Sequence, residues 1–177
     1  MTEARLHETR TYSAPAGFAA TANVTAEAYA RAASDPTLFW EQAAERLDWA
    51  EPWHTAHEWD PSVGDAVPAA RWFVGGQLNV AYNCVDRHVE AGRGDKVALH
   101  FEGEPGDRIA VTYSDLQDRV SRAANALIAL GIRPGDRVVV YLPVLIETVV
   151  ITLACARVGA VHLSLIHISE PTRRRGI

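Results

Sequence analysis

Three spacings in the sequence join side chains that can do chemistry. His54 and His57 stand three residues apart, as the members of some metal pairs do. No third ligand accompanies them, and two histidines in a tryptophan-rich loop are the plainer reading. Cys84 and His88 are one helical turn apart. That spacing serves a metal pair or a cysteine nucleophile with its base. A buried cysteine beside a capping or hydrogen-bonded histidine needs no ligand and is the preferred reading. Asp86 and Arg87 read as members of local ion pairs holding the N-terminal segment to the main domain. Cys155, in an apolar stretch, reads as a core thiol, and Asp136, after Pro134-Gly135, as a turn residue. Gly75-Gly76 and Arg93-Gly94 lack the spacing of a loop that cradles phosphate. No catalytic, cofactor-binding or metal-ligating residue is therefore assigned.

The composition sets the frame for these residues. The chain has 177 residues, room for one ordinary domain or a domain with an accessory segment. Its 48% apolar and 22% charged residues are globular usage, which excludes general disorder, collagen and coiled coil. A net charge of −5 gives no broad electrostatic reason to bind nucleic acid or an anionic membrane. Cys84 and Cys155 form neither a disulfide framework nor a CxxC site, which suits a reducing compartment. The first ten residues carry both signs of charge and lack the apolar core of a signal peptide. The most apolar run, Leu142–Ala156, is interrupted by Pro143 and Glu147 and falls short of the about 20 residues that span a bilayer. A soluble, cytoplasmic protein without nucleic-acid or membrane partners is expected.

The elements follow from periodicity and punctuation. Residues 1–22 are small and polar, and a mobile tail is expected there. Thr25 is placed to cap a helix over Ala26–Ala33. Ser34 or Asp35, followed by Pro36, starts a second helix that runs through Leu47. All five tryptophans lie between Trp40 and Trp72, among Pro52, Pro61 and Pro68. An irregular segment anchored by its aromatics is predicted, in preference to an aromatic ligand cage. Leu78–His88 reads as a helix, Arg93-Gly94-Asp95 as a turn, and Lys96–Phe101 with Ile109–Thr112 as a hairpin. Ser114-Asp-Leu-Gln117 has the form of a capping box opening a helix that Gly131 closes. Val138-Val139-Val140 is a continuous β-branched run, predicting a parallel strand buried on both faces. A helix over Glu147–Val158, closed by Gly159, completes a helix–strand–helix unit, half of a doubly wound α/β fold.

Several of these stretches also resemble a known family. Thr112-Tyr-Ser-Asp-Leu116 resembles the first core motif of the adenylate-forming acyl-CoA synthetase superfamily. Gly131-Ile-Arg-Pro-Gly-Asp-Arg-Val-Val-Val-Tyr-Leu-Pro143 and Leu153-Ala-Cys-Ala-Arg-Val-Gly-Ala-Val-His162 resemble the segments that follow it. Phe39-Trp40, Leu47-Asp-Trp49, Trp72-Phe-Val-Gly-Gly-Gln-Leu-Asn79 and Asn83-Cys-Val-Asp-Arg-His88 narrow the likeness to the acetyl-CoA synthetases, the acetate–CoA ligases. The resemblance spans roughly residues 24–162.

It implies a ligase in which acetate attacks ATP to give acetyl-adenylate and diphosphate, and coenzyme A then displaces AMP. Joining two anions requires neutralised charge, so ATP, CoA and Mg²⁺ are the implied cofactors. The family's Ser/Thr/Gly-rich phosphate loop, ribose-binding acid and catalytic lysine have no match here. An N-terminal fragment, inactive by itself and binding none of these cofactors, is expected. Propionyl-CoA synthetases share much of the pattern, and a small non-catalytic α/β binding module is the other alternative. Leu163–Arg173 resembles the in-frame translation of a sequencing-library adapter. The expected organisation is thus a tail at 1–22, an acetyl-CoA synthetase-type N-terminal segment at 23–92, the start of an AMP-binding (adenylation) domain at 93–162, and a non-native tail at 163–177. The expected fold is α/β and incomplete, a helical and irregular Trp-rich segment followed by the first part of a doubly wound domain.

Overall fold

The computed structural model describes residues 9–61 and 69–164. The chain divides into two units, Met1–Arg46 and Leu47–Ile177. Most of the non-native tail expected at 163–177 lies outside the described residues; Leu163 and Ser164 lie in a strand.

The first unit holds three helices. The stretch expected as a tail contains a short exposed helix, α1, Ala16–Ala20. Helix α2 spans Ala26–Ser34 behind Thr25, whose side chain makes no capping bond. Helix α3, Pro36–Ala44, opens on Asp35, which accepts the Leu38 N–H at 2.9 Å, with Pro36 in the first turn. The missing proline N–H falls where no intrahelical partner exists, so the residue costs nothing there.

The second unit begins with a hairpin where an irregular segment is predicted. Strand β1, Thr55–Asp60, pairs antiparallel with β2, Ala69–Val74, in the register His57↔Trp72. Ala56 is its one buried residue, the others being half-buried or exposed without apolar alternation, which is why the pattern is silent. The aromatics do anchor the region. Trp49, Trp53 and Phe73 form a triad with ring centroids 4.9 to 5.6 Å apart. Phe73 takes a left-handed φ of 52°, a conformation rare for a bulky residue. Gly76 follows because a Cβ there would stand 2.6 Å from the Trp49 ring.

The next helical stretch begins at Val80 rather than Leu78. Asn79 caps it, accepting the Tyr82 N–H at 3.2 Å. The stretch is widened into π-helix over Tyr82–Asp86 and is broken at Gly92, whose left-handed φ of 73° ends the helix. The wider turn buries Ala81, Val85 and Asp86 and rotates Cys84 outward. Cys84 is exposed, against the expectation of a buried thiol.

A hairpin of β3, Val97–Glu102, and β4, Arg108–Thr112, leads into α4, Tyr113–Ala129. The helix cap is Thr112, not Ser114. Its hydroxyl accepts the Asp115 N–H at 3.1 Å, and the Asp115 carboxylate accepts the Thr112 N–H in return. Leu116, Val120, Ala124 and Leu127 form the buried face. Gly131, at φ 88°, closes the helix: its N–H reaches the Ile128 carbonyl and the Ile132 N–H the Leu127 carbonyl. Leu130, the last residue before that glycine, is exposed.

Strand β5, Arg137–Val140, helix α5, Ile146–Val158, and strand β6, Val161–Ser164, complete a parallel β–α–β unit. The core joins Val85, Val111, Leu116, Val120, Ile146, Ala154 and Cys155. Cys155 is wholly buried, as expected. The predicted two-sided burial of β5 does not hold: Val140 is 4% exposed and Val139 58%. Only one face of the strand is packed, because among the described residues no element covers the face that carries Val139.

Candidate functional site

The densest polar chemistry gathers around the π-helical stretch. Asp86 is 8% exposed. Arg157 Nη2 donates to its Oδ2 at 2.6 Å and Gln117 Nε2 to its Oδ1 at 2.8 Å. The three residues come from three different helical elements, so the carboxylate fastens them at one point. Arg157 Nε is buried without a hydrogen-bond partner. Beside this pair, Asn79 Nδ2 donates to the Ala156 and Arg157 carbonyls at 3.4 and 3.2 Å, satisfying the C-terminal turn of α5.

A second set ties in the preceding loop. Asn83 accepts the Asp48 N–H and donates to the Asp48 carbonyl, each at 2.9 Å. Arg87 Nη1 donates to Asn83 Oδ1 at 2.9 Å and pairs with the Asp48 carboxylate at 3.2 Å. Asp86 and Arg87 thus make the ion pairs expected of them, with Arg157 and Asp48 respectively. A carboxylate already engaged by a guanidinium and an amide is a fastening, not a free general base.

The remaining sequence candidates fall apart spatially. His57 stacks on Trp72 with centroids 4.2 Å apart, while His54 Nδ1 lies 3.1 Å from the Thr55 hydroxyl. Among the described residues no group of three or more His, Cys, Asp or Glu is placed to hold a metal ion. His88 does not serve Cys84 as a base. Arg93 Nη2 donates to its Nδ1 at 2.7 Å, which puts the neutral ring's proton on Nε2. Burial, then the cations Arg93, Arg87 and Lys96, lower the His88 pKa below its usual 6.5. Burial raises the Cys155 thiol, which makes it a core group rather than a nucleophile. Asp136 closes its turn, accepting the Arg133 N–H at 2.7 Å.

Cys84 instead borders a groove of about 390 Å3 with Leu99, Tyr113, Leu116, Thr148 and Leu153. Its lining is mainly apolar and offers no cation for phosphate. The sequence gives little warning of either feature. The Asp86–Arg157 pair is separated by 71 positions, and nothing local links the two residues.

Comparison with known proteins decides the family. The profile of the AMP-binding enzymes matches residues 85–177. The chain belongs to the AMP-binding enzyme family. The profile of the acetyl-coenzyme A synthetase N-terminus matches residues 25–84, so the two meet between Cys84 and Val85, inside the π-helical stretch. Acetyl-coenzyme A synthetase of Streptomyces avermitilis is 59% identical over 158 residues, 89% of this chain and 23% of that protein. The Gemmatimonas aurantiaca enzyme of the same name is 51% identical over 89% of this chain and 23% of its own length. Among solved structures, acetoacetyl-CoA synthetase from Streptomyces lividans superposes with a TM-score of 0.66 at 33% identity, covering 76% of this chain and 20% of that chain. The family member described here therefore has the fold of the N-terminal part of an adenylate-forming synthetase. It spans about a quarter of the length of the curated relatives it matches, 23% for the Streptomyces avermitilis protein. No helix of the described residues is long and apolar enough to cross a membrane.

Proposed function

We propose that the chain is the N-terminal part of an acetyl-CoA synthetase, which joins acetate to coenzyme A through acetyl-adenylate, releasing AMP and diphosphate. The observation that carries this reading is the pair of adjoining profile matches, in order, with curated acetyl-coenzyme A synthetases at 51–59% identity along nearly the same stretch. Such an enzyme uses ATP, CoA and Mg²⁺. The described residues do not fit those groups: they offer no phosphate cradle and no acidic cluster for a metal. No step of adenylation is therefore assigned to residues of this chain.

The chain's contribution is positional. Asn79, bonded to the Ala156 and Arg157 carbonyls, and Arg87, bonded to Asn83 and paired with Asp48, hold the AMP-binding match to the segment before it, while Asp86, Gln117 and Arg157 fasten the match internally. We keep the segments 23–92 and 93–162 as its two parts and 163–177 as the non-native tail. A soluble cytoplasmic setting, with acetate as the substrate of the whole enzyme, belongs to the same reading. Equilibrium dialysis of the 177-residue chain against Mg–ATP tests whether it binds nucleotide by itself. No saturable binding is expected; stoichiometric binding would contradict it.

A further inference from the structure

His88 sits where the π-helical stretch, the turn after it and the start of α4 meet. Its ring packs on Tyr113, the first residue of α4, with centroids 4.7 Å apart. Its Nδ1 accepts the Arg93 guanidinium at 2.7 Å. Arg93 opens the turn that follows Gly92, and that turn lies against α4 itself. The Ser114 N–H donates to the Gly94 carbonyl and the Tyr113 N–H to the Lys96 carbonyl, each at 3.0 Å. Both amides are in the first turn of α4 and have no partner within the helix. A Cβ at Gly94 would collide with the Ser114 hydroxyl, so turn and helix approach closely there.

A neutral imidazole accepts at one nitrogen, whereas imidazolium donates at both. Protonated His88 therefore meets the Arg93 guanidinium donor to donor and cation to cation. The surroundings give the added charge little relief. Arg87 and Arg93 from the same stretch and Lys96 ahead of β3 are cations, and Asp48, before β1, is the carboxylate that bears on the ring. Asp48 is paired with Arg87 at 3.2 Å, and Glu90 accepts the Tyr82 hydroxyl at 2.6 Å. From α4 the group facing the imidazole is the Tyr113 ring. We propose that His88 and Arg93 form a pH-operated latch: uptake of one proton by His88 expels the Arg93 side chain and frees the Arg93–Lys96 turn from the start of α4. Gly92, at a φ of 73°, is the hinge. The lowered His88 pKa has the matching sign, because the opened form, with an ordinary imidazole, binds the proton more tightly than the closed one. Opening therefore sets in as pH falls below 6.5 and leaves the core around the buried Val120 in place. The latch is a property of residues 88–114 and stands apart from the enzymatic reading.

The test is amide hydrogen exchange of the full 177-residue chain, followed by NMR on either side of pH 6.5 and corrected for the intrinsic pH dependence of exchange. Protection of the Tyr113 and Ser114 amides is expected to fall severalfold, and by no more than about tenfold per pH unit, the limit for one coupled proton. The Val120 amide, which reports opening of the core, keeps its protection. Ring-nitrogen shifts are expected to place the proton of neutral His88 on Nε2. His88→Gln supplies an acceptor that does not titrate and is expected to hold both amides protected across the range. Arg93→Ala, at an exposed position, is expected to leave them weakly protected at every pH. Protection at Tyr113 and Ser114 that is indifferent to pH, a parallel loss at Val120, a pH response that survives in His88→Gln or in Arg93→Ala, or a neutral ring with its proton on Nδ1 would each overturn the proposal.

Discussion

Asp86 fastens α4 and α5 to the π-helical stretch through Gln117 and Arg157. Removing its carboxylate strands a guanidinium that keeps only 26% of its side chain exposed. Breaking a buried pair by deleting one partner costs about 3–5 kcal/mol, and Arg157's partial exposure moves the expectation for Asp86→Ala to about 2–4 kcal/mol. Urea unfolding measures it, and a loss below about 0.5 kcal/mol would show the pair to be incidental. In the Asp86→Ala/Arg157→Ala double variant the cost is expected to be less than the sum of the single ones. His88 supplies a pH test. Its folded pKa lies below the usual 6.5, so the unfolded chain takes up the proton first as pH falls. Its contribution is complete above that value and is lost as pH drops through it. His88→Gln is expected to flatten the stability–pH curve just below pH 6.5; an unchanged slope would exclude the histidine as its source. Asp86 and Arg87 are legible as ion-pairing residues, but their partners are not. A sequence carries charge and spacing, whereas the Asp86–Arg157 contact depends on how α5 returns against the π-helical stretch.

At the scale of the element, α4 shows what local pattern decides and what it leaves open. Two overlapping caps are written there, Thr112-x-x-Asp115 and Ser114-x-x-Gln117. Both have an acceptor side chain three residues before a side chain able to reach back. Strand β4 ends at Thr112 and the helix must begin at once, which selects the first and frees Gln117 to bind Asp86. Thr112→Ala is expected to cost about 1 kcal/mol, while Ser114→Ala is expected to cost almost nothing. Equal losses in thermal melts would contradict the assignment. Loss of the Thr112 hydroxyl also removes the main cause of the lowered Asp115 pKa, which NMR titration of that carboxylate would show as an upward shift. The glycine stops at Gly131 and Gly159 are plain in the sequence because each ends an apolar row and takes a left-handed φ. The β1–β2 hairpin and the π-turn at Tyr82–Asp86 are not. The first lacks alternation because neither of its faces is packed beyond Ala56. The second arises from an i→i+5 bonding choice that side-chain spacing does not encode.

At the scale of the molecule, the exposed Val139 and the buried Val140 express one fact, a sheet with a single packed face. The apolar run at Val138–Val140 carries the composition of a strand buried on both sides, and the structure meets half of that demand. The fold and the family are therefore legible in this chain, while the adenylation site is not, because the described residues hold no part of it that geometry can recognise. The central claim is that these residues do the work of an acetyl-CoA synthetase N-terminus. Its most direct test replaces the matched segment of the Streptomyces avermitilis enzyme with the corresponding residues of this chain and measures acetate-dependent ATP–pyrophosphate exchange. The account predicts a folded hybrid whose kcat/KM for acetate stays within about tenfold of the parent, a loss of no more than about 1.4 kcal/mol in transition-state binding. A hybrid that folds yet has lost exchange, or that prefers a different acyl substrate, would contradict it.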